Sequence, residues 1–120
     1  MIEEKYLSIP YKKQGRGWDG CDCYGLARLV IKEESGVDLP SFEEKTAPDE
    51  EVYTMFKPLV NPEDLSIVFL QGGPFHEAHT GVYSNGFILH MTEHGACSVP
   101  YKRISRFIKG IYAPMKTRKK

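Results

Sequence analysis

The chain has 120 residues, 41% hydrophobic and 27% charged, and its 16 basic and 16 acidic side chains cancel to zero formal charge. This is the make-up of one ordinary globular domain, long enough to bury roughly two thirds of its unfolded surface without disulfides or a structural metal. The balance of charge argues against a nucleic-acid binder, and no run of about 18 apolar residues is present to span a membrane as a helix.

The opening, Met1-Ile2-Glu3-Glu4-Lys5, is too acidic and polar for a signal peptide. The expected location is therefore cytoplasmic when made, or within a larger particle. Residues 1 to 22 read as an irregular or partly helical lead-in, broken at Pro10-Tyr11 and Gly15-Arg16-Gly17. Residues 23 to about 35 form the clearest element. Leu26, Leu29 and Val30 recur at helical spacing, Ala27 and Ile31 widen the stripe, Asp22 is a good N-cap, and Gly36 is a good stop. Residues 41 to 63 are acidic and mixed, with a short helix expected from Pro48-Asp49-Glu50-Glu51 that carries Val52, Met55 and Phe56.

From Asp64 the pattern changes to strand. Leu65–Leu70 is one run, ended by Gly72-Gly73-Pro74. His79–Tyr83 and Phe87–Met91 flank Asn85-Gly86, the strongest short hairpin signal. Further strands are expected at Cys97–Val99 and Phe107–Tyr112. Helices first and an antiparallel meander afterwards make an α+β layout. The single domain is expected over residues 1–115, followed by a disordered basic tail, residues 116–120.

Three cysteines, two of them separated by one residue, are not a disulfide framework. Cys23 stands at the start of the helix, where the dipole and free N–H groups favour a thiolate. The hairpin supplies partners. A two-residue loop at Asn85-Gly86 sets Gly81 opposite His90, so His79, Gly81 and His90 share one sheet face. His79 and His90 become diagonal neighbours, roughly 7 to 8 Å apart at the backbone. A loop one residue longer would separate them. A thiol nucleophile, an imidazole to take its proton, and a second polar group to orient that imidazole make a plausible Cys23-His79-His90 arrangement. Cys21 and Cys97 read as bystanders, and His76 as a residue on a mobile loop at the rim. No metal or cofactor is expected. His76-Glu77-Ala78-His79 does not match the zinc-hydrolase spacing, and Cys21-x-Cys23 is too short for a zinc knuckle.

At these residues the chain resembles the NlpC-type, papain-like cysteine peptidases that cut bacterial cell walls. Their Gly-x-Asp-Cys-x-Gly-Leu signature matches Gly20-Cys21-Asp22-Cys23-Tyr24-Gly25-Leu26, and their His-x-Gly-x-Tyr strand matches His79-Thr80-Gly81-Val82-Tyr83. Their Phe-Ile-His strand is approximated by Phe87-Ile88-Leu89-His90. The resemblance covers residues 6 to about 112. It looks closest to the bare-domain branch of phage and prophage tails, through Ile9-Pro10-Tyr11 and Leu39-Pro40. Two turns depart from it: Pro62-Glu63-Asp64-Leu65 replaces Pro-Gly-Asp-Leu, and Gln14-Gly15 replaces a double glycine.

The resemblance implies a papain-like NlpC-type fold, with N-terminal helices packed on a central antiparallel sheet of about five strands. It implies a catalytic triad of Cys23, His79 and His90, with Tyr11 and Asp22 on the substrate or oxyanion side. It further implies a peptidoglycan stem peptide as substrate, cut at the γ-D-glutamyl to diamino-acid bond, and phage tail proteins as partners. Two other functions remain open on the sequence: a structural tail-assembly protein with little activity, and an amidase or acyltransferase using the same triad.

Overall fold

A computed structural model describes residues 2–39 and 56–114 of the chain. The expected helix at Pro48–Glu51, Pro40 and the basic tail lie outside the described residues.

The lead-in begins with a short helix, α1 (Ile2–Tyr6), and continues into a two-stranded ribbon, β1 (Arg16–Gly17) and β2 (Gly20–Cys21). Between α1 and the ribbon the chain turns at Lys12–Gly15, closed by the Gly15 N–H donating to the Lys12 carbonyl at 2.8 Å. Gln14 occupies the left-handed region there, with φ 60. It thus takes a conformation that a glycine adopts without steric cost, at one of the two turns where the sequence departs from the peptidase pattern.

Helix α2 runs Cys23–Ser35, as its periodicity predicts. Asp22 caps it: one carboxylate oxygen accepts from the Gly25 N–H at 2.8 Å. Gly36 ends it in the left-handed region at φ 81, with its N–H on the Lys32 carbonyl. Leu26, Leu29, Val30 and Ile31 are buried on its inner stripe, each contributing roughly 2 kcal/mol of transfer free energy.

The main sheet is wholly antiparallel and has six strands among the described residues, in the order β3-β8-β4-β5-β6-β7. They are β3 (Phe56–Pro58), β4 (Ile67–Gly72), β5 (Phe75–Ser84), β6 (Phe87–Thr92), β7 (Gly95–Pro100) and β8 (Ile108–Pro114). Sequence reading expected about five. The additional edge strand, β3, starts at Phe56, a residue expected in a helix but paired with Pro114 instead. Strand β4 starts at Ile67 rather than Leu65, because residues 63–66 form a tight turn. Ser66 Oγ donates to the Glu63 carbonyl at 2.6 Å, and Leu65 sits at φ 69. Phe107 falls in a 3-10 turn, Ser105–Phe107, following the short helix Tyr101–Ile104.

Alternation along the strands divides the core. Ile67, Phe69, Val82, Leu89 and Met91 join the stripe of α2, with Tyr6 and Ile9 from the lead-in. Val68, Leu70, Ile88 and Ile111 gather with Ile104 in a second cluster. Successive β-strand residues point to opposite faces, so the helix layer covers one face and the Tyr101–Phe107 segment helps to cover the other. No helix among the described residues is long and apolar enough to cross a membrane.

Candidate active site

The β5–β6 hairpin closes through Asn85 and Gly86, at φ 51 and φ 87. Two consecutive positive φ values match the two-residue turn that suits the twist of a hairpin. The register follows: Ser84 pairs with Phe87, Val82 with Leu89 and Gly81 with His90. That ladder ends at the Gly81–His90 pair, although β5 extends back to Phe75 and β6 on to Thr92. Here β5 stays with β4 and β6 stays with β7. A cleft of about 710 Å³ opens at this divergence, and Cys23, His79, His90 and Tyr11 all line it.

The two imidazoles meet directly. His79 Nε2 lies 2.9 Å from His90 Nδ1, with the rings nearly perpendicular at 88°. Gly81 makes room for this approach. A Cβ there would come within 2.7 Å of Ile88 Cγ2 and 3.4 Å of His90 Cβ. Phe75 stacks on His79 with centroids 5.3 Å apart and presents an edge to His90 at 6.0 Å. Sequence reading missed Phe75, because Gly72-Gly73-Pro74 signalled a strand end and gave no hint that β5 begins immediately after it. His76, expected on a loop, belongs to β5 in its backbone.

Cys23 opens α2 and is buried, at 8% exposure. Burial is the main influence on its thiol and pushes it up to about 11. The backbone N–H groups of Thr80 and Tyr24 and the Thr80 hydroxyl pull the other way, while the Asp22 carboxylate adds to the rise. Thr80 Oγ1 is buried and completes no full hydrogen bond, so its help to the thiolate is a weak dipolar one. The helix N-terminus therefore does not make a resting thiolate here: desolvation outweighs it. The histidines are shifted the opposite way. Burial, then the neighbouring His90, depress His79 to about 4, and burial depresses His90 to about 4. At neutral pH the site holds a neutral thiol and two neutral imidazoles, in which one ring N–H donates to the other ring's lone pair.

The remaining candidates divide. Tyr11 is half-exposed on the cleft wall, in a parallel bridge with Cys21. Asp22 does not reach the cleft. It is 2% exposed, and the oxygen that caps α2 also takes the Arg16 guanidinium at 2.6 Å. Asp22 is placed to hold the helix start and the ribbon together. Cys21 is a core residue, fully buried, with its thiol donating to the Gly17 carbonyl at 3.1 Å. Cys97, read from sequence as a bystander, stands beside His90. Its Sγ lies 3.3 Å from His90 Nε2, and it lines the cleft. A countable signal existed: a two-residue loop at Glu93-His94 sets Thr92 opposite Gly95 and hence His90 opposite Cys97. Among the described residues, no group of three His, Cys, Asp or Glu side chains is arranged to hold a metal ion.

No family model and no curated protein matches the sequence. Solved structures do match the fold. The NlpC/p60 domain of the peptidoglycan hydrolase SagA superposes with a TM-score of 0.66 at 16% identity, over 93% of this chain and 92% of that one. A Staphylococcus aureus protein similar to a lipoprotein of the NLP/P60 family gives 0.64 at 16% identity, over 97% of this chain and 40% of its own. NlpC1 from Trichomonas vaginalis gives 0.65 at 14% identity, over 97% of this chain and 42% of its own. This chain thus spans about two fifths of the latter two proteins and nearly all of the SagA domain. At these identities the likeness speaks for architecture, and the architecture is the NlpC/p60 fold expected from the motif around Cys23.

Proposed function

We propose that this chain is a cysteine endopeptidase that hydrolyses peptidoglycan stem peptides at the γ-D-glutamyl to diamino-acid bond. The observation that carries the reading is the 2.9 Å contact between His79 Nε2 and His90 Nδ1 on the wall of a cleft that Cys23 also lines. That contact leaves His79 Nδ1 as the nitrogen available to the thiol. Cys23 attacks the scissile carbonyl carbon as its proton passes to His79. The resulting imidazolium is steadied by His90, then protonates the leaving amine. Water, deprotonated by His79, cleaves the thioester and restores the thiol. The Thr80 and Tyr24 N–H groups favour negative charge on the sulfur.

The peptidoglycan substrate rests on the motif and on the peptidoglycan hydrolase among the fold neighbours. The sequence features shared with phage and prophage tail modules support a role as a tail component, active once carried to the cell wall. The test is digestion of purified peptidoglycan fragments, with the products identified by mass spectrometry. Wild type should release fragments ending in γ-D-glutamate, and Cys23→Ala should release none, a loss of more than about a thousandfold. Full activity in Cys23→Ala would refute the assignment. Products cut at another amide, or joined to an added amine, would assign the site to an amidase or acyltransferase.

A further inference from the structure

The site contains a fourth group. Strand β7 places Cys97 directly across from His90, as Gly81 is placed on the other side. Both nitrogens of His90 therefore have partners: Nδ1 faces His79 Nε2 at 2.9 Å, and Nε2 faces Cys97 Sγ at 3.3 Å. A neutral imidazole carries one proton, so the two contacts are linked. If the Cys97 sulfur accepts, His90 holds its proton on Nε2 and offers a lone pair at Nδ1. His79 must then carry its proton on Nε2, leaving Nδ1 bare. If Cys97 instead donates its S–H, the chain reverses: His90 donates from Nδ1, and His79 is protonated on Nδ1. In that state the His79 lone pair sits on Nε2, facing His90, and Nδ1 has none to take a proton from Cys23.

We propose that Cys97 is a positioning residue that sets the tautomer of His90 and, through it, the tautomer of His79 that serves as base. This rests on the reading of Cys23 and His79 given above. An imidazole N–H is a much better donor than a thiol, and a thiol sulfur can accept weakly. The proposal assigns the accepting arrangement, which is the competent one. When His79 becomes an imidazolium, each bond in the chain from His79 through His90 to the sulfur polarises the next. Alanine at position 97 would leave His90 Nε2 without this partner, and its proton would no longer be confined to that nitrogen.

The test joins a spectrum to kinetics on the full chain. Long-range nitrogen–proton correlation of ¹⁵N-labelled imidazoles at neutral pH should show both His79 and His90 protonated on Nε2 in the wild type. Cys97→Ala should mix the two tautomers and lower kcat about tenfold, with KM changed by less than about twofold. Cys97→Ser keeps an accepting atom and should restore kcat to within about threefold. His79 protonated on Nδ1 in the wild type would overturn the proposal without any variant, so a poorly folding Cys97→Ala does not block the test. Unchanged tautomers and unchanged kcat in Cys97→Ala would overturn it equally. Cys23→Ala run beside these separates the two readings. If it stays active, the nucleophile is wrong. If it is inactive while Cys97→Ala behaves as wild type, only the role of Cys97 falls.

Discussion

At the scale of single residues, the site is a contest between a helix end and a desolvated pocket. Cys23 has the helix N-terminus that favours a thiolate, yet only 8% of it is exposed. Burial pushes the thiol up to about 11, and His79 stands down near 4. The pair therefore rests neutral, and in the proposed reaction thiolate and imidazolium form together only when a substrate carbonyl draws the proton across. This has a direct consequence for a small alkylating reagent. Iodoacetamide should label Cys23 slowly at pH 7, and its rate should keep rising beyond pH 9 toward a midpoint near 11. Mass spectrometry of the labelled chain separates Cys23 from Cys21 and Cys97. A rate already level by pH 7 would mean a preformed thiolate–imidazolium pair, contrary to this account. The same contest explains what the motif alone could not supply. Residue types and spacing single out the proposed nucleophile and its partners, but how much water remains around the sulfur depends on packing from β5 and the lead-in.

At the scale of elements, the head of α2 is fastened by one carboxylate with two duties. Asp22 accepts the Gly25 N–H and pairs with Arg16, and both side chains of that ion pair are buried, at 7% and 2% exposure. Gly25 is required beside it, since a Cβ there would strike the Gly15 carbonyl oxygen. Removing one partner of a buried pair strands the other charge, which costs about 3 to 5 kcal/mol, and a lost cap costs about 1 kcal/mol more. Asp22→Ala is expected to lower the unfolding free energy by about 5 kcal/mol. Asp22→Asn keeps a capping oxygen and should recover only about 1 kcal/mol of that. Urea unfolding midpoints measure both, and an Asp22→Ala protein within about 1 kcal/mol of wild type would show the pair to be dispensable. The sequence made α2 legible because its stripe, cap and stop agree. It made the β5–β6 register legible because Asn85-Gly86 admits one turn geometry. The same counting through Glu93-His94 reveals Cys97, but no Asn-Gly marks that turn. Its cue is quieter: the Thr92 hydroxyl donates to the Gly95 carbonyl and accepts the His94 N–H. The edge strand β3 was illegible because three residues, Phe56–Pro58, carry too little pattern to outweigh an apparent helix before them. Phe75 was hidden by the glycines that precede it.

At the scale of the whole molecule, the buried site makes stability depend on pH in a predictable direction. His79 and His90 titrate near 4 when folded and near 6.5 when exposed. Between those values the unfolded chain binds more protons, so stability is fully present above about 6.5 and falls as pH drops toward 4. Cys23 has the opposite alkaline behaviour: its folded value is raised from 9.0 to about 11, so stability is kept below 9 and lost as pH rises toward 11. The thiol of Cys21, also raised to about 11, adds to that limb. The expected profile is a plateau between about 6.5 and 9 with a fall on each side. Among the described residues, the two imidazoles act on the part of the acid limb between about 6.5 and 4. Glu34, whose carboxyl is lowered chiefly by the Tyr6 hydroxyl, contributes only below its ordinary value of 4.5. The acid loss should amount to a few kcal/mol, on the order of what two such shifts of a buried, interacting pair provide. Urea unfolding at half-unit pH steps measures it. Replacing His79 with Asn and His90 with Gln removes both titrating groups and should flatten the profile between 6.5 and 4, whatever the change in absolute stability. An acid limb of undiminished slope in that double variant would mean that the histidines are not the groups whose burial the fold sustains.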